Sequence, residues 1–316
     1  MKAGASPRTP KGGKVDGFSA VIRGGVVLNC LSHFEEDGMK IGCFACVEPF
    51  APLGRQLKAI KEMGFAFADV TDNHDGGALG EEFGFAPTAS LDSHPAHLRS
   101  LAKEAGVRLS AFCAHANLLD PSSPATYGTA QIIKAIRLAN DLGIKEVITC
   151  DGEPHTAFGK GLKPAERVLL VREKLQVPIQ WAEELGIKLL LETHGPVTDN
   201  ISLMGDLLDR LGHEKTVGIC LDTGNCWLGG GDPLAFIRTF GKRIGHVHWK
   251  DMPKEMEKQR GKIFGCGMAL IALGDGVVGI EGVVKALRAA KIDVATTLEI
   301  AGAETVKLSA KRLRKW

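Results

Sequence analysis

IKLLLETH (187–194), VGICLDTGN (217–225) and IGHVHWKD (244–251) share one grammar: a short apolar run that ends abruptly in carboxylate, amide or imidazole side chains. Runs of this kind, rich in Val, Ile, Leu and Cys and separated by longer stretches of helical period, are the signature of repeated βα units. The pattern extends in both directions along the chain. Candidate strands cover 41–47, 65–70, 107–113, 146–150, 187–192, 217–221, 244–249 and 295–299. Candidate helices cover 53–63, 95–105, 126–142, 164–185, 202–211, 233–240, 280–290 and 304–313. Asp92 and Pro95 mark the start of the second helix, and Gly143 and Gly186 the ends of the third and fourth.

Eight strands, each followed by a helix, close a (β/α)₈ barrel, because every crossover is right-handed and the last strand then meets the first. The expected fold is therefore α/β, a single TIM barrel over residues 39–316. Residues 1–38 lack a sustained period and are expected to form an N-terminal extension. An open doubly wound sheet would call for a Gly-rich phosphate turn after the first strand, and Cys46-Val47-Glu48-Pro49 is no such turn.

Charge and composition exclude several classes. The 316 residues carry 39 Lys and Arg against 37 Asp and Glu, a net charge of +2 that gives no electrostatic case for nucleic acid. With 44% apolar and 24% charged residues, the chain reads as an ordinary globular protein. No run approaches the roughly 18 apolar residues of a membrane span. Phe18 to Leu31, broken by Arg23 and Gly24-Gly25, makes a poor signal peptide. Eight scattered cysteines read as small buried hydrophobes in a reducing compartment, which points to the cytoplasm. Cys43 and Cys46 form a C-x-x-C, but no second pair follows at zinc-finger spacing.

In a barrel the active site lies where the strands end, so the residues just past each apolar run carry the chemistry. They are Asp72 and His74 after strand two, then His115, Asn117 and Asp120 after strand three. Asp151, Glu153 and His155 follow strand four, and Glu192-Thr193-His194 close strand five. Asp222-Thr223-Gly224-Asn225 follow strand six, His246 to Asp251 close strand seven, and Glu299 ends strand eight. A lone polar residue at a strand end is commonly a helix cap or a solvated loop residue. Four successive strands ending in carboxylate, carboxylate, imidazole and carboxylate supply a hard O/N ligand set suited to Mn²⁺, Mg²⁺, Co²⁺ or Zn²⁺. Burying Glu192 and Glu299 after apolar runs would cost several kcal/mol without a partner, which a cation would offset.

The segments LLLETHG (189–195), LDTGNCW (221–227), RIGHVHWKD (243–251) and TTLEIAG (296–302) resemble the xylose-isomerase-like (β/α)₈ superfamily of sugar isomerases, sugar 3-epimerases, inosose dehydratases and endonuclease IV relatives. CAHANLLDP (113–121) and LDSHPAHLR (91–99) add weaker support. The resemblance puts a divalent metal, Mn²⁺ first among the four, on Glu192, Asp222, His248 and Glu299. The 26 residues from Asp222 to His248 span one loop, one helix and one strand. It implies that the metal holds the carbonyl and hydroxyl oxygens of an open-chain sugar or sugar phosphate and stabilises an enediolate. Glu192 and Glu299 would act as base and acid with His194 or His115 as auxiliary proton carriers. Asn225 and Lys250 would contact substrate oxygens, His155 and His246 would line the pocket, and Trp227 would offer a stacking face. Barrels of this superfamily often pair, so a homo-oligomer is expected alongside a small carbohydrate or cyclitol as partner.

Two departures from the epimerase pattern matter. Thr198 stands where those enzymes carry a second glutamate, and Asn225 stands where a histidine is usual. The principal expectation is an isomerase or epimerase that removes a proton next to a carbonyl. The alternative is a lyase acting on a keto-cyclitol or 3-keto-glycoside, which loses a leaving group after the same step. An endonuclease would need more histidine ligands and a basic groove, and a non-catalytic sugar-binding barrel would need a vestigial metal site. The glycine-dense connection 252–279 reads as a lid, with Lys254, Lys258, Arg260 and Lys262 as candidate contacts for a phosphate.

Overall fold

Eight parallel strands pair in sequence order, β1 to β8, and β8 pairs back with β1 to close the barrel. They are Lys40–Phe44 (β1), Phe67–Thr71 (β2), Arg108–Cys113 (β3), Glu146–Thr149 (β4), Lys188–Glu192 (β5), Val217–Asp222 (β6), Ile244–Trp249 (β7) and Ala295–Leu298 (β8). This computed structural model describes residues 39–48, 51–71, 89–120, 127–266 and 269–316. The extension expected over 1–38, with Cys30, and the strand-two candidates Asp72 and His74 lie outside the described residues.

The principal helices between strands are Leu53–Glu62 (α1), Pro95–Ala105 (α2), Tyr127–Leu142 (α3), Pro164–Leu185 (α5), Ile201–Leu211 (α6), Pro233–Phe240 (α8), Ile280–Ala289 (α9) and Ala303–Lys315 (α10). Two short helices that periodicity does not announce are Ala157–Gly161 (α4) and Thr223–Leu228 (α7). Both are shorter than two turns, too brief to display a helical period. Gly186 caps α5 in the left-handed conformation, with φ 61°. At α2 the cap is His94 rather than Asp92: its side chain accepts from Ala96 N at 3.1 Å, with Pro95 as the first helical residue.

The strands are buried on both faces. Leu189, Leu191, Ile219, Leu221 and Val247 belong to the shell packed against the helices. Phe44, Cys46, Ala111, Cys113, Ile148, Leu190 and Cys220 form a separate cluster inside the barrel. Six described cysteines are buried and free, as expected for small hydrophobes. Ile219 pairs with Ile244 but Cys220 pairs with His246, so Gly245 is the extra residue of a bulge. Beyond it, Cys220 faces His246 and Asp222 faces His248 across the pair.

Candidate functional site

The ends of β5 to β8 converge on one buried cluster. Glu192 and Asp222 are the last residues of β5 and β6, His248 is the penultimate residue of β7, and Glu299 immediately follows β8. All four are buried, and each offers one ligand atom within 4.8 Å of the others. Two threonines lock the strand ends. Thr193 Oγ1 donates to Asp222 O (3.0 Å) and accepts from Asp222 N (2.9 Å). Thr223 Oγ1 donates to Lys250 O (2.7 Å) and accepts from Lys250 N (2.9 Å).

The free valences of this cluster point to a cation. Asp222 Oδ1 accepts from Asn225 N at 2.7 Å as the cap of α7, while Asp222 Oδ2 has no hydrogen bond. His248 Nδ1 and Glu299 Oε2 are likewise buried without hydrogen bonds. His248 Nδ1 lies 3.5 Å from Glu192 Oε1 and 3.6 Å from Glu299 Oε2. Ligand bonds of about 2.1 Å give a tetrahedral edge of about 3.4 Å, so these atoms are spaced as ligands and not as hydrogen-bond partners. The residues therefore fit a divalent ion.

Lys250 sits inside this cluster. Its ammonium is fully buried, 3.2 Å from Asp222 Oδ2 and 3.0 Å from Glu299 Oε1, and it donates to Asn225 Oδ1 (3.3 Å) and Cys266 O (3.2 Å). Three carboxylates against one ammonium leave two negative charges, the charge of one divalent cation. The two glutamates differ electrostatically. Burial holds the Glu299 carboxyl well above the usual range, only partly countered by Lys250. Burial also pushes Glu192 upward, but His115, His248 and the imidazole hydrogen bonds together hold it well below that range.

His115 and His194 form the open side of the site. His115 Nε2 is 2.9 Å from Glu192 Oε2, His194 Nδ1 is 3.8 Å from Glu192 Oε1, and their side chains are 22% and 14% exposed. Asn225 Nδ2 reaches Glu192 Oε1 and His194 Nδ1, each at 3.4 Å. The connection after β7 closes over this side. Cys266 N donates to Asn225 Oδ1 at 3.1 Å, and Gly265 lies so near His194 that a Cβ there would stand 1.8 Å from Nε2.

Other expected contacts fall elsewhere. His246 does not reach the mouth: it is fully buried below His248, held by Asp69 and Glu146, because alternation along β7 carries it one layer deeper into the barrel. Lys250 touches ligand carboxylates and the covering loop, with no surface left for solvent. His155 is exposed on the loop after β4, its N–H held by Asp120. Trp227 packs with Leu228 and Met252 under the covering segment. Arg260 stacks on Trp227 at 5.1 Å and donates to Trp227 O and Gly231 O, a structural clamp rather than a phosphate contact. Sequence reading missed Asp69, fully buried beside His246 and His248. Its signal was a single carboxylate inside the apolar run 65–70.

Over residues 57–316 the sequence matches the family described as xylose isomerase-like TIM barrel, and the chain belongs to that family. A curated inosose dehydratase of Clostridium perfringens is 34% identical over 113 residues, a stretch covering 34% of this chain and 38% of that protein. Among solved structures, the 3-keto-D-glucoside 4-epimerase of E. coli superposes with a TM-score of 0.66 at 17% identity, over 88% of this chain and 100% of that one. The IOLI protein, solved with a bound zinc atom, superposes with a TM-score of 0.65 at 14% identity, over 88% and 94% of the two chains.

Proposed function

We propose that this protein is a divalent-metal-dependent isomerase or epimerase of a small sugar or sugar phosphate, acting by proton transfer at a carbon next to a carbonyl. The observation that carries this reading is the quartet Glu192, Asp222, His248 and Glu299, in which His248 Nδ1 and Glu299 Oε2 are buried without a hydrogen bond and Asp222 Oδ2 is met only by the Lys250 ammonium. A divalent ion held there, Mn²⁺ in our reading, supplies Lewis acidity to the carbonyl. Glu192, which His115 and His248 hold in its ionised form, takes the proton, and Glu299 takes part in returning one. His115, bonded to Glu192 Oε2 and partly exposed, exchanges that proton with the open side of the site. His194 orients substrate oxygens, Asn225, fully buried and expected from sequence to contact substrate, instead holds His194, Lys250 and Cys266, and the segment through Gly265 and Cys266 excludes water. The free buried thiols fit a reducing compartment, the cytoplasm.

A lyase reading has its own support. Thr198, in place of a second glutamate, is fully buried and donates its hydroxyl to Asp151 at 2.7 Å, so it offers nothing to a second substrate face. The partial match to an inosose dehydratase points the same way. After the same proton abstraction, a β-hydroxyl or aglycone would depart.

Both readings meet in one experiment. Protein loaded with Mn²⁺ in deuterated buffer is given ketoses, keto-inositols and 3-keto-glucosides. Deuterium in recovered or isomeric sugar supports isomerisation, and a dehydrated product supports the lyase. Glu192→Gln and Glu299→Gln should each lower turnover by about 10²–10⁴-fold with unchanged circular dichroism. Near-full activity in either variant would refute the acid and base roles.

A further inference from the structure

Below the quartet the barrel interior carries a polar spine. Asp69, on β2, is fully buried and accepts Thr297 Oγ1 (2.7 Å) on Oδ2 and Ser110 Oγ (2.5 Å) and Ala111 N (3.0 Å) on Oδ1. His246 Nε2 approaches the same Oδ2 at 2.9 Å and His248 Nε2 at 3.4 Å. The other nitrogen of His246 lies 3.1 Å from Glu146 Oε2. Glu146 opens β4 and is partly exposed on the wall of a cavity of about 400 Å³ formed by residues that begin the strands, at the end opposite the quartet. A continuous line of side chains thus joins the two ends of the barrel.

We propose that Asp69 is the positioning residue of the metal centre: it keeps the proton of His248 on Nε2, leaving Nδ1 bare toward Glu192 and Glu299, and it is itself anchored through His246 by Glu146. The proposal rests on reading the quartet as a metal site. A neutral imidazole binds a metal only through its bare nitrogen, and the group facing the other nitrogen selects which one that is. Neither nitrogen of His248 makes a hydrogen bond: Nδ1 lies 3.5 and 3.6 Å from the carboxylates of two prospective ligands, whereas Nε2 lies 3.4 Å from the carboxylate of Asp69, which is outside the quartet, so with an ion in the quartet Asp69 is the group left to hold the proton. Asp69, His246 and His248 also lie close enough together to hold an ion. With four or five donors already converging on its two oxygens, Asp69 has no lone pair left for one, so it acts through His248 instead.

The test reads metal uptake and tautomer, not turnover. Chelator-treated protein is titrated with Mn²⁺ by calorimetry, and Co²⁺ reports the ligand field by visible absorption. Asp69→Asn should weaken binding by about 10–100-fold and alter the Co²⁺ spectrum. Glu146→Gln, remote from the quartet and partly exposed, should weaken it about threefold or more, a smaller effect in the same direction. Long-range ¹H–¹⁵N correlation in metal-free wild type should show His248 protonated on Nε2. An unchanged Mn²⁺ affinity in either variant, or an Nδ1–H tautomer in wild type, overturns the proposal. The tautomer is read without metal, so it tests Asp69 even if wild type took up no Mn²⁺, a result that would instead overturn the metal reading.

Discussion

Asp199 is a carboxylate with too few donors. It is buried, and among the described residues Oδ2 accepts only from Gly195 N at 3.2 Å and Oδ1 has no hydrogen-bond partner. Burial, with Asp151 close by, pushes its pKa well above the carboxylate range. As pH rises past about 4, the unfolded chain releases this proton while the folded chain retains it, so this group lowers stability with rising pH. Asp199→Asn keeps the shape and removes the ionisation. It should stabilise the protein by about 1 kcal/mol at pH 7, with the gain fading as pH falls to 4. Urea melts at the two pH values check both the gain and its disappearance. The polar strand ends were legible in sequence because each follows an apolar run, and the resemblance to the family picked Glu192, Asp222, His248 and Glu299 from among them. Asp69 was not, since one carboxylate within 65–70 announces burial but not the direction in which it points. For His246 the sequence left two readings, pocket lining or barrel interior, because sharing a face with His248 says nothing about depth along the barrel, and the structure places it in the interior.

The connection 252–279 is held by Asp251 and closed by Gly265. Asp251 is buried and accepts from Met252 N, Gly274 N, Gly276 N and Val278 N at 2.8 to 3.1 Å. Asp251→Ala leaves these donors unmatched and should cost about 3 kcal/mol. For a chain of this size that is a fall of about 4–5 °C in Tm by scanning calorimetry. Gly265 acts differently. Its φ of +75° and its contact with His194 both exclude a side chain. Gly265→Ala should displace the covering segment and lower kcat/KM by about 10²-fold while Tm changes little, as steady-state kinetics beside a thermal melt would reveal. The length and glycine content of this connection marked it as a cover. Which of its residues touch the site was hidden, because contacts between a loop and a barrel rim carry no period.

Across the barrel, charge and hydrophobicity are sorted by layer. An apolar shell lies between strands and helices, a small apolar cluster lies inside, and the carboxylates concentrate at one mouth. Holding Glu192, Asp222 and Glu299 together around the single ammonium of Lys250 opposes folding unless a further cation joins them. Mn²⁺ at about one hundred times its Kd should therefore stabilise the protein by about 2.7 kcal/mol. Tm should rise by about 4 °C, reversed by EDTA and absent in Asp222→Asn. A thermal scan at several Mn²⁺ concentrations measures this directly, and a Tm indifferent to the metal would contradict the fit of the quartet.

The linear order of residues was enough for the barrel, its eight strands and the four residues gathered at its mouth. Local period, strand length and right-handed crossovers leave one closed arrangement, and alternation puts strand-end side chains inside it. Depth and partner were not available from that order. That His246 lies against Asp69, that Lys250 lies against the carboxylates of Asp222 and Glu299, and that Gly265 lies against His194 depends on contacts between residues far apart in the chain. Those contacts follow from barrel tilt, the bulge at Gly245 and loop packing, none of which leaves a repeat in the sequence.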